Sequence, residues 1–440
     1  MSRATGLLIA APRSGSGKTT VALGIQRALV RRGLRVRGAK CGPDYIDPAF
    51  HMAATGMPSF NFDSFAMDRE FLNTLAAQSA AGTDIVIAEG SMGLFDGVRQ
   101  KLGHTGASAD IAAVFGWPVV LVLDVSGHAQ SAAAVALGCA RFDPRIEIAG
   151  VVLNRVASQR HRNLVEDGLE RIGLPVLGAL MRNNDLILPE RHLGLVQAGE
   201  TDELDRRLEH LADLVETSID LDKLLALGRP TQIGLATCGT TLTPPGQRIA
   251  LATDQAFSFV YQHVLAHWRA AGAEIATFSP LANEPPPNDA DICWLPGGYP
   301  ELHAGRIADA TSFLQGLRSF ARTRPVHGEC GGYMVLGEAL EDGDGNVHRM
   351  AGLLPVSTSY AKRKIHLGYR VAHLLHDGPL GSAGRRLVGH EFHYASIMQG
   401  DTSKDTAFAA VTDAEGTDLG TMGHRVGTTT GSFFHVIAHS

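Results

Sequence analysis

Residues 7–29, LLIAAPRSGSGKTTVALGIQRAL, constrain the fold more than any other stretch of the chain. The pattern predicts a buried apolar strand, a Gly/Ser turn and an amphipathic helix that begins at Lys18. In such a turn the backbone N–H groups surround phosphate oxygens, the lysine reaches the β and γ phosphates, and the Thr19 hydroxyl can bind Mg²⁺. The stretch therefore predicts a site for a nucleoside triphosphate.

The motif differs from the strict phosphate-loop pattern at one position, because Pro12 stands where that pattern has its first glycine. The core S-G-S-G-K-T-T is intact. An ordinary capping turn before a helix is the alternative interpretation. We assign nucleotide binding to seven residues of this core: Ser14, Gly15, Ser16, Gly17, Lys18, Thr19 and Thr20.

Composition narrows the class of protein. The 440 residues suffice for two or three domains, and 45% hydrophobic with 19% charged residues is typical of globular chains. Residues 111–125 form the longest apolar stretch, which Gly, Pro and Asp interrupt and which is too short to span a membrane. The five scattered cysteines lack C-x-x-C spacing, so neither a disulfide framework nor a zinc site is indicated.

The net charge of −6 gives no electrostatic reason to expect a nucleic-acid partner. We find no targeting signal in front of the phosphate loop. We therefore expect a cytoplasmic protein whose partners are small molecules, with neither nucleic acid nor membrane among them. Association into a homodimer stays open.

Beyond the first helix, short apolar runs alternate with amphipathic segments. The runs are RVRGAKCG, DIVIAEGSMG, WPVVLVLDVSG, IAGVVLNRV and LPVLGAL. Continuous Val/Ile/Leu strands separated by helices are typical of a parallel sheet covered on both faces, so we predict a doubly wound α/β domain. Ligands of such a sheet bind beyond the carboxyl ends of its strands.

Polar residues follow these strands where a triphosphate would lie. We expect Glu89 to be the acidic partner of Mg²⁺, with Asp47 and the Thr19 hydroxyl beside it, because Mg²⁺ prefers oxygen ligands. Caps and turns are the alternative for such residues, and we interpret Asp124 in that way, as a helix cap. Asn154 is predicted either to read the edge of a base or to close a turn.

A second domain follows a change in composition. Residues 201–227 have apolar positions at helical spacing and predict a surface helix or helix pair. Residues 228–247, rich in Pro, Thr and Gly, predict a linker. From residue 248 the alternation of strands and helices resumes. We therefore divide the chain into a nucleotide-binding domain at 1–227, the linker, and a second α/β domain at 248–440.

The segment PVHGECGGYMVLG predicts a nucleophile at Cys330. The glycines around it permit the strained strand-to-helix turn of a nucleophile elbow, with a helix expected to begin near Tyr333. A helix N-terminus lowers the pKa of a thiol, which favours the thiolate. The alternative is a cysteine that acts as a small buried hydrophobic residue.

A nucleophilic cysteine also needs a base and an oxyanion hole. Backbone N–H groups of Gly298 and Gly331 are our candidates for the oxyanion hole. His435, in the terminal GSFFHVIAHS, is the candidate base, and His390 and His393 compete with it.

Seven ordered motifs resemble the a,c-diamide synthase family of cobalamin biosynthesis. They are SGSGKTT, GPDYID, EGSMGLFDG, WLPGGYPE, HGECGGYM, GHEFHY and the terminal GSFFH. The resemblance covers essentially the whole chain. It implies an N-terminal synthetase domain similar to dethiobiotin synthetase, of the P-loop type, and a C-terminal class I (Triad) glutamine amidotransferase domain.

The resemblance also implies a reaction and a set of residues. The enzyme would be a glutamine-hydrolysing ligase that uses ATP and Mg²⁺ to amidate the a and c acetate groups of a corrin through acyl phosphates. In this family the cysteine matching Cys330 attacks glutamine, with the histidine matching His435 as its base. The motifs place metal, nucleotide and substrate around four acidic residues and one tyrosine: Asp44, Asp47, Glu89, Asp96 and Tyr45. We assign substrate binding to Asp44, Tyr45 and Asp96.

One departure concerns the amidotransferase triad. Many class I enzymes have a glutamate two residues after the catalytic histidine, where this chain has Ile437. The third triad member therefore lies elsewhere or is dispensable, and Glu391 is one candidate.

The segments APRSGSGKTT and GPDYIDPAFH resemble those of family members in the aerobic branch more than those in the anaerobic branch. The substrate of the aerobic branch is metal-free hydrogenobyrinate. The same reaction on cobalt-containing cobyrinate is an alternative. A ligase of the cobyric acid synthase type is a second, against which the shorter chain and the GPDYIDP segment argue. A P-loop regulatory ATPase with an inactive amidotransferase-like domain is a third.

Overall fold

A computed structural model describes residues 4–183, 190–191, 194–195, 198, 203–232, 243–400 and 405–439 of the chain. The chain divides into two compact units, Met1–Gly239 and Thr240–Ser440. Part of the predicted linker, residues 233–242, lies outside the described residues, as does Cys238. No helix in the described ranges is long and apolar enough to cross a membrane.

The first unit contains a large, mainly parallel sheet and a separate two-stranded antiparallel one. Its strands are β1 (Thr5–Ala10), β2 (Val36–Cys41), β3 (Phe60–Phe62), β4 (Ile85–Glu89), β5 (Val119–Asp124), β6 (Ile148–Val156), β7 (Val176–Met181), β8 (Glu190–Arg191), β9 (Gly194–Leu195) and β10 (Arg229–Pro230). The order β3-β2-β4-β1-β5-β6-β7 is parallel throughout, and β10 joins β1 in the antiparallel direction. The predicted doubly wound sheet is confirmed.

Helices connect these strands. They are α1 (Lys18–Arg31), α2 (Asp47–Thr55), α3 (Arg69–Ala80), α4 (Ser108–Phe115), α5 (Ala132–Phe142), α6 (Gln159–Glu170), α7 (Leu204–Ser218) and α8 (Leu221–Leu227). Strands β1, β4 and β5 are almost wholly buried, because helices cover both faces of the sheet. The carboxyl ends of β1, β2 and β4 therefore meet at one edge.

Helix α7 is the first of the helix pair predicted near residues 201–227. Its acidic side chains form ion pairs with α1, where Arg27 contacts Asp205 and Glu209, and Arg31 contacts Asp213. Its apolar stripe packs on the core of the sheet. This helix thus supports the helix that follows the phosphate loop.

The second unit contains a ten-stranded mixed sheet and a small four-stranded one. Its strands are β11 (Arg248–Ala252), β12 (Glu274–Phe278), β13 (Ile292–Leu295), β14 (Val326–Glu329), β15 (Ala339–Glu341), β16 (Val347–Arg349), β17 (Val356–Ser359), β18 (His366–Leu374), β19 (Arg386–His393), β20 (Ser396–Gly400), β21 (Ala407–Asp413), β22 (Asp418–Val426), β23 (Thr429–Ser432) and β24 (Phe434–His439). Its helices are α9 (Gln262–Ala270), α10 (Ala304–Asp309), α11 (Thr311–Ala321) and α12 (Gly331–Leu336).

The large sheet has two halves. Strands β12-β11-β13-β14-β23 run parallel, as the alternating pattern predicts. From β23 the order continues antiparallel through β22, β21, β18, β19 and β24. This antiparallel half brings the C-terminal strand beside β19.

Candidate active sites

The phosphate loop joins β1 to α1. Gly15 and Gly17 have φ angles of 72° and 89°, a backbone conformation that favours glycine. A Cβ atom at Gly17 would overlap the amide of Asn154. That amide lies at the end of β6 and donates from Nδ2 to the carbonyl of Ser16 over 2.8 Å. Asn154 therefore holds the phosphate loop in place through the carbonyl of Ser16.

Lys18 lies at the first position of α1 and is almost completely buried. Its Nζ donates to the carbonyl of Met92 over 2.6 Å and lies 3.4 Å from the carbonyl of Arg13. Burial, followed by the positive charge of Lys40, lowers the pKa of Lys18 to about 8. The ammonium group is thus held in the loop, where burial disfavours its charge more than the nearby carboxylates favour it.

Glu89 is the centre of a buried polar cluster at the end of β4. Its Oε1 accepts hydrogen bonds from the Thr19 hydroxyl over 2.6 Å and from Lys40 Nζ over 2.9 Å. His51 Nε2 lies 2.8 Å from its Oε2. Burial opposes ionisation of Glu89, but the charge of Lys40 and the contact with His51 outweigh it and hold the pKa of Glu89 well below its usual value. Glu89 is therefore an anion.

Lys40 links the predicted acidic residues to one another. Its Nζ also contacts Asp47, the first residue of α2, and lies 3.9 Å from Asp44 Oδ2. Burial disfavours the charge of Lys40, yet Asp47 and Glu89 together raise its pKa. For Asp47, burial and the neighbouring Asp44 carboxylate raise the pKa well above its usual value. The cluster therefore places the buried Lys40 cation between the Glu89 carboxylate and the Asp47 carboxyl group, whose ionised form burial disfavours.

Thr19, Glu89 and Asp47 offer the oxygen donors that Mg²⁺ prefers. The Thr19 and Glu89 oxygens already lie 2.6 Å apart. This spacing is close to that of neighbouring ligands around Mg²⁺, at roughly 2.0–2.1 Å from the ion. The residues present thus fit a magnesium ion next to the phosphate loop only where Lys40, which contacts the same Glu89 oxygen and Asp47, gives way to it.

Of the remaining predicted substrate residues, Asp44 borders this cluster, Tyr45 follows Asp44 in the chain, and Asp96 lies in the loop after β4. Oδ1 of Asp44 accepts the N–H groups of Ile46 and Asp47, over 2.8 and 3.1 Å, and so shapes the start of α2. Tyr45 is buried. Asp96 is exposed, and its Oδ2 accepts the N–H of Gly93 over 2.7 Å in the loop after β4. The Met92 carbonyl, which accepts a hydrogen bond from Lys18, belongs to the same loop.

Cys330 lies in the second unit, at the bend between β14 and α12. Its φ of 47° and ψ of −105° are strained for a residue with a side chain, as a nucleophile elbow requires. Its N–H donates to the carbonyl of Ser432 over 2.8 Å. Helix α12 begins at Gly331, two residues before the predicted start near Tyr333, because the bend passes directly into the helix.

The prediction of a lowered thiol pKa is wrong for the resting site. Burial, followed by the negative charge of Glu301, raises the pKa of the Cys330 thiol. Helix α12 has only six residues, so its dipole does not offset the loss of water. The thiol therefore needs a base that removes its proton.

The ring of His435, on β24, and Cβ of Cys330 both lie beside Gly297. A Cβ atom added at Gly297 would overlap Cε1 of the His435 ring and would lie 3.3 Å from Cβ of Cys330. Burial, followed by the charge of His390, lowers the pKa of His435 to about 3. The imidazole is therefore neutral at physiological pH, as a base must be.

The two glycines predicted for the oxyanion hole are neighbours. A Cβ atom at Gly331 would lie 3.0 Å from the backbone nitrogen of Gly298. The N–H of Gly332 donates to the carbonyl of Pro296 over 3.0 Å and holds the two turns together. Backbone N–H groups of both turns thus come close to the nucleophile.

The competing bases lie on β19. His390 is paired in register with His435, whereas His393 stacks on Phe433 with ring centroids 3.7 Å apart. His393 Nε2 lies 2.9 Å from Oε1 of Glu391. Of the three histidines, His435 is the one whose ring lies beside Gly297, next to Cβ of Cys330.

Comparison with known proteins gives the family. Residues 7–196 match the model described as the CobQ/CobB/MinD/ParA nucleotide binding domain, and residues 248–440 match the CobB/CobQ-like glutamine amidotransferase domain. A hydrogenobyrinate a,c-diamide synthase of Mesorhizobium japonicum is 57% identical over 99% of both chains. Proteins with the same name are 54% identical in Agrobacterium fabrum, over 99% of both chains, and 58% identical in Rhodobacter capsulatus, over 98% of both.

The chain belongs to the hydrogenobyrinate a,c-diamide synthase family. It is a ligase with a nucleotide-binding domain and a glutamine amidotransferase domain, as the resemblance of the motifs implies. The family places it in cobalamin biosynthesis and accounts for two sites of different chemistry in one chain.

Sequence reasoning about this synthase missed His51. Its ring bridges Glu89 and Ser59, with Nδ1 3.2 Å from the Ser59 hydroxyl. A Cβ atom at Gly38 would lie 2.5 Å from Cβ of His51, so the glycine makes room for this helix residue. The available signal was its position one helical turn after Asp47, on the same face of α2.

Glu391 was the candidate for the third triad member of the synthase. Its two oxygens contact His393 and Arg370, whose Nε lies 2.8 Å from Oε2. Burial opposes its ionisation, but His393 and Arg370 lower the pKa of Glu391 to about 2. Together with His366, the side chains of Glu391 and His393 have the spacing of metal ligands. The Arg370 guanidinium on the same carboxylate disfavours a cation there.

Proposed function

We propose that the chain catalyses amidation of the a and c acetate carboxylates of hydrogenobyrinate. ATP would activate each carboxylate as an acyl phosphate, and ammonia from glutamine would displace the phosphate. The observation that carries this proposal is the pairing of two site types in one chain. A buried phosphate-loop lysine lies near a carboxylate cluster, and a strained cysteine lies near a neutral histidine.

In the synthetase site, the N–H groups of the loop and the Lys18 ammonium would hold the phosphates of ATP. Thr19, Glu89 and Asp47 would hold Mg²⁺, which neutralises phosphate charge when it is bound. The substrate carboxylate then attacks the γ phosphorus and ADP leaves. We assign Asp44, Tyr45 and Asp96 to substrate binding and orientation, which the position of Asp44 3.9 Å from Lys40 supports.

In the glutaminase site, His435 would take the proton of Cys330 as the sulfur attacks the side-chain amide of glutamine. The N–H groups of Gly298 and Gly331 would stabilise the oxyanion. The imidazolium then protonates the leaving nitrogen, so ammonia departs and a thioester remains. Water, deprotonated by the same histidine, hydrolyses the thioester to glutamate and restores the thiol.

We expect the protein to act in the cytoplasm, where ATP and glutamine are available. A homodimer is compatible with the proposal. Neither changes the chemistry above. The chemistry depends on groups that each unit supplies within itself.

Mass spectrometry of the product tests the proposal. Hydrogenobyrinate and cobyrinate are incubated separately with the enzyme, ATP, Mg²⁺ and glutamine, and we expect two amides on hydrogenobyrinate only. Two amides on cobyrinate alone would move the substrate to the cobalt-containing corrin. Absence of amides on both, with a folded protein, would overturn the proposal in favour of a regulatory ATPase.

Two variants separate the half-reactions. Cys330→Ala should lose glutamine-dependent amidation but keep activity with added ammonium salt, because its synthetase site is intact. Lys18→Ala should lose amidation with both nitrogen sources. Loss of both activities in Cys330→Ala, or full activity in Lys18→Ala, would contradict the assignment of the two sites.

A further inference from the structure

We propose that Glu329, the residue before the nucleophile, positions His435 and stabilises its protonated ring. This role would otherwise belong to a glutamate two residues after the histidine, where the chain has the buried, apolar Ile437. The inference rests on the proposed hydrolysis of glutamine at Cys330.

The geometry places one carboxylate against the base. Glu329 ends β14, and its Oε2 lies 3.8 Å from Nδ1 of His435. Its Oε1 accepts the N–H of Val436 over 2.9 Å. The same carboxylate thus holds the backbone that follows the base and faces the ring of the base. Catalytic hydrogen bonds are often long before substrate binds, so 3.8 Å suits a contact that tightens during the reaction.

The two ring nitrogens of His435 face different partners. A Cβ atom at Gly297 would overlap Cε1, would lie 3.1 Å from Nε2, and would lie 3.3 Å from Cβ of Cys330. Nε2 is therefore on the side of the elbow, whereas Nδ1 is on the side of Glu329. Once Glu329 is ionised, its carboxylate at Nδ1 keeps the proton there and leaves the lone pair of Nε2 for the thiol.

The surroundings of Glu329 make this contact stronger when the ring is charged. The Glu329 carboxyl group is buried beside a pocket lined by Phe259, Trp268 and Trp294, and burial raises its pKa to about 8, so its ionised form depends on a positive charge beside it. Val436 and the Trp294 side chain donate to it and favour the charged form. Transfer of the Cys330 proton puts a positive charge beside the carboxylate. Such a charge-dependent contact raises kcat rather than substrate affinity.

The charge of Glu391 also raises the pKa of His435, but both oxygens of Glu391 already have partners. Its oxygens contact Arg370 and His393, and both contacts lie on the β18–β19 side of the sheet. A carboxylate that already neutralises a guanidinium has less to gain from an imidazolium. Glu329 lies next to the nucleophile in the chain and contacts the segment of the base directly.

The test compares Glu329→Gln with Glu329→Asp in the full chain, by release of glutamate from glutamine. Glutamine at this position keeps the size and can still accept the Val436 N–H, but it carries no charge. We expect kcat to fall about 10²-fold or more while KM changes less than about threefold. Aspartate should restore part of kcat, because it returns the charge at a greater distance.

Two further variants serve as references. Glu341→Gln removes a carboxylate of β15 that accepts the Ser359 hydroxyl, and it should leave kcat unchanged. Glu391→Gln tests the competing carboxylate and should lower kcat less than Glu329→Gln. Amidation with added ammonium salt should stay at the level of the unsubstituted chain in Glu329→Gln, which shows that the protein is folded.

Several results would overturn the proposal. The first is a kcat of Glu329→Gln within about threefold of that of the unsubstituted chain. The second is a larger loss of kcat in Glu391→Gln than in Glu329→Gln. The third is an increase of KM in Glu329→Gln with no change in kcat. If Glu329→Gln does not fold, Glu329→Asp decides, because a kcat equal to that of the unsubstituted chain then counts against the role. If the unsubstituted chain itself releases no glutamate, the proposed glutamine hydrolysis fails, which is a different outcome.

Discussion

The Thr19 hydroxyl donates to Oε1 of Glu89 over 2.6 Å, which joins the first turn of α1 to the end of β4. Lys40 donates to the same oxygen, so one carboxylate oxygen serves both a predicted magnesium ligand and a buried cation. A bound divalent ion would compete with Lys40 for this oxygen. The relationship makes Glu89 the residue whose substitution distinguishes a metal site from a structural ion pair.

Glu89→Gln should lower amidation about 10²-fold or more with either nitrogen source, because the amide provides no negative charge for Mg²⁺. Higher Mg²⁺ should restore part of the rate. Hydrolysis of glutamine alone should be unchanged. The measurement is product formation against Mg²⁺ concentration. Asp84→Asn, which removes a surface ion pair with Arg35, is the matched control. An unchanged Mg²⁺ requirement in Glu89→Gln would show that the cluster only supports the fold.

ATP affinity should fall as pH rises from 7 to 9.5. Burial, followed by the charge of Lys40, lowers the pKa of Lys18 from 10.5 to about 8, so its charged fraction falls through this range. Bound phosphates favour the charged form, which is why the affinity depends on pH. The measurement is the Kd for ATP without Mg²⁺ at each pH. Lys18→Arg retains its charge and should show a flatter dependence; an equal slope in both proteins would contradict the assignment.

Gly17→Ala should weaken ATP binding about tenfold or more, because a Cβ at this position overlaps the Asn154 amide that fixes the loop. The φ of 89° adds strain of its own. Gly33→Ala is the control, since Gly33 has a φ of 84° in open space and shares only that strain. The measurement is the Kd for ATP in both variants. Equal affinities would show that the Asn154 contact is unimportant for the loop.

Local patterns predicted the first unit well, since they report on what each segment buries. The run at residues 119–123 is apolar because helices cover both faces of its strand, and α1 begins at the predicted lysine. The antiparallel half of the second unit was not predicted strand by strand. Strand β22 shows why, because most of its residues are exposed or half-buried and leave no apolar run.

The chemistry of the elbow was predicted only in part. The glycines around Cys330 indicate its strained bend, but the pKa of the thiol depends on how much water the rest of the unit excludes. The contact between Glu329 and His435 joins residues more than a hundred positions apart, through the pairing of β14 with β23, the strand that comes just before β24 in the chain. No spacing along the chain contains that information.

Gly297→Ala should abolish most glutamine hydrolysis and leave ammonia-dependent amidation intact. The added methyl group would overlap Cε1 of His435, so the base must move away from Cys330, and a displacement of about 1 Å costs about 10²-fold in rate. The control is Gly305→Ala in α10, where the nearest atom to an added Cβ is 3.5 Å away. The measurement is kcat for glutamate release in both variants. Normal hydrolysis in Gly297→Ala would mean that His435 is not held at the elbow and that another histidine removes the proton.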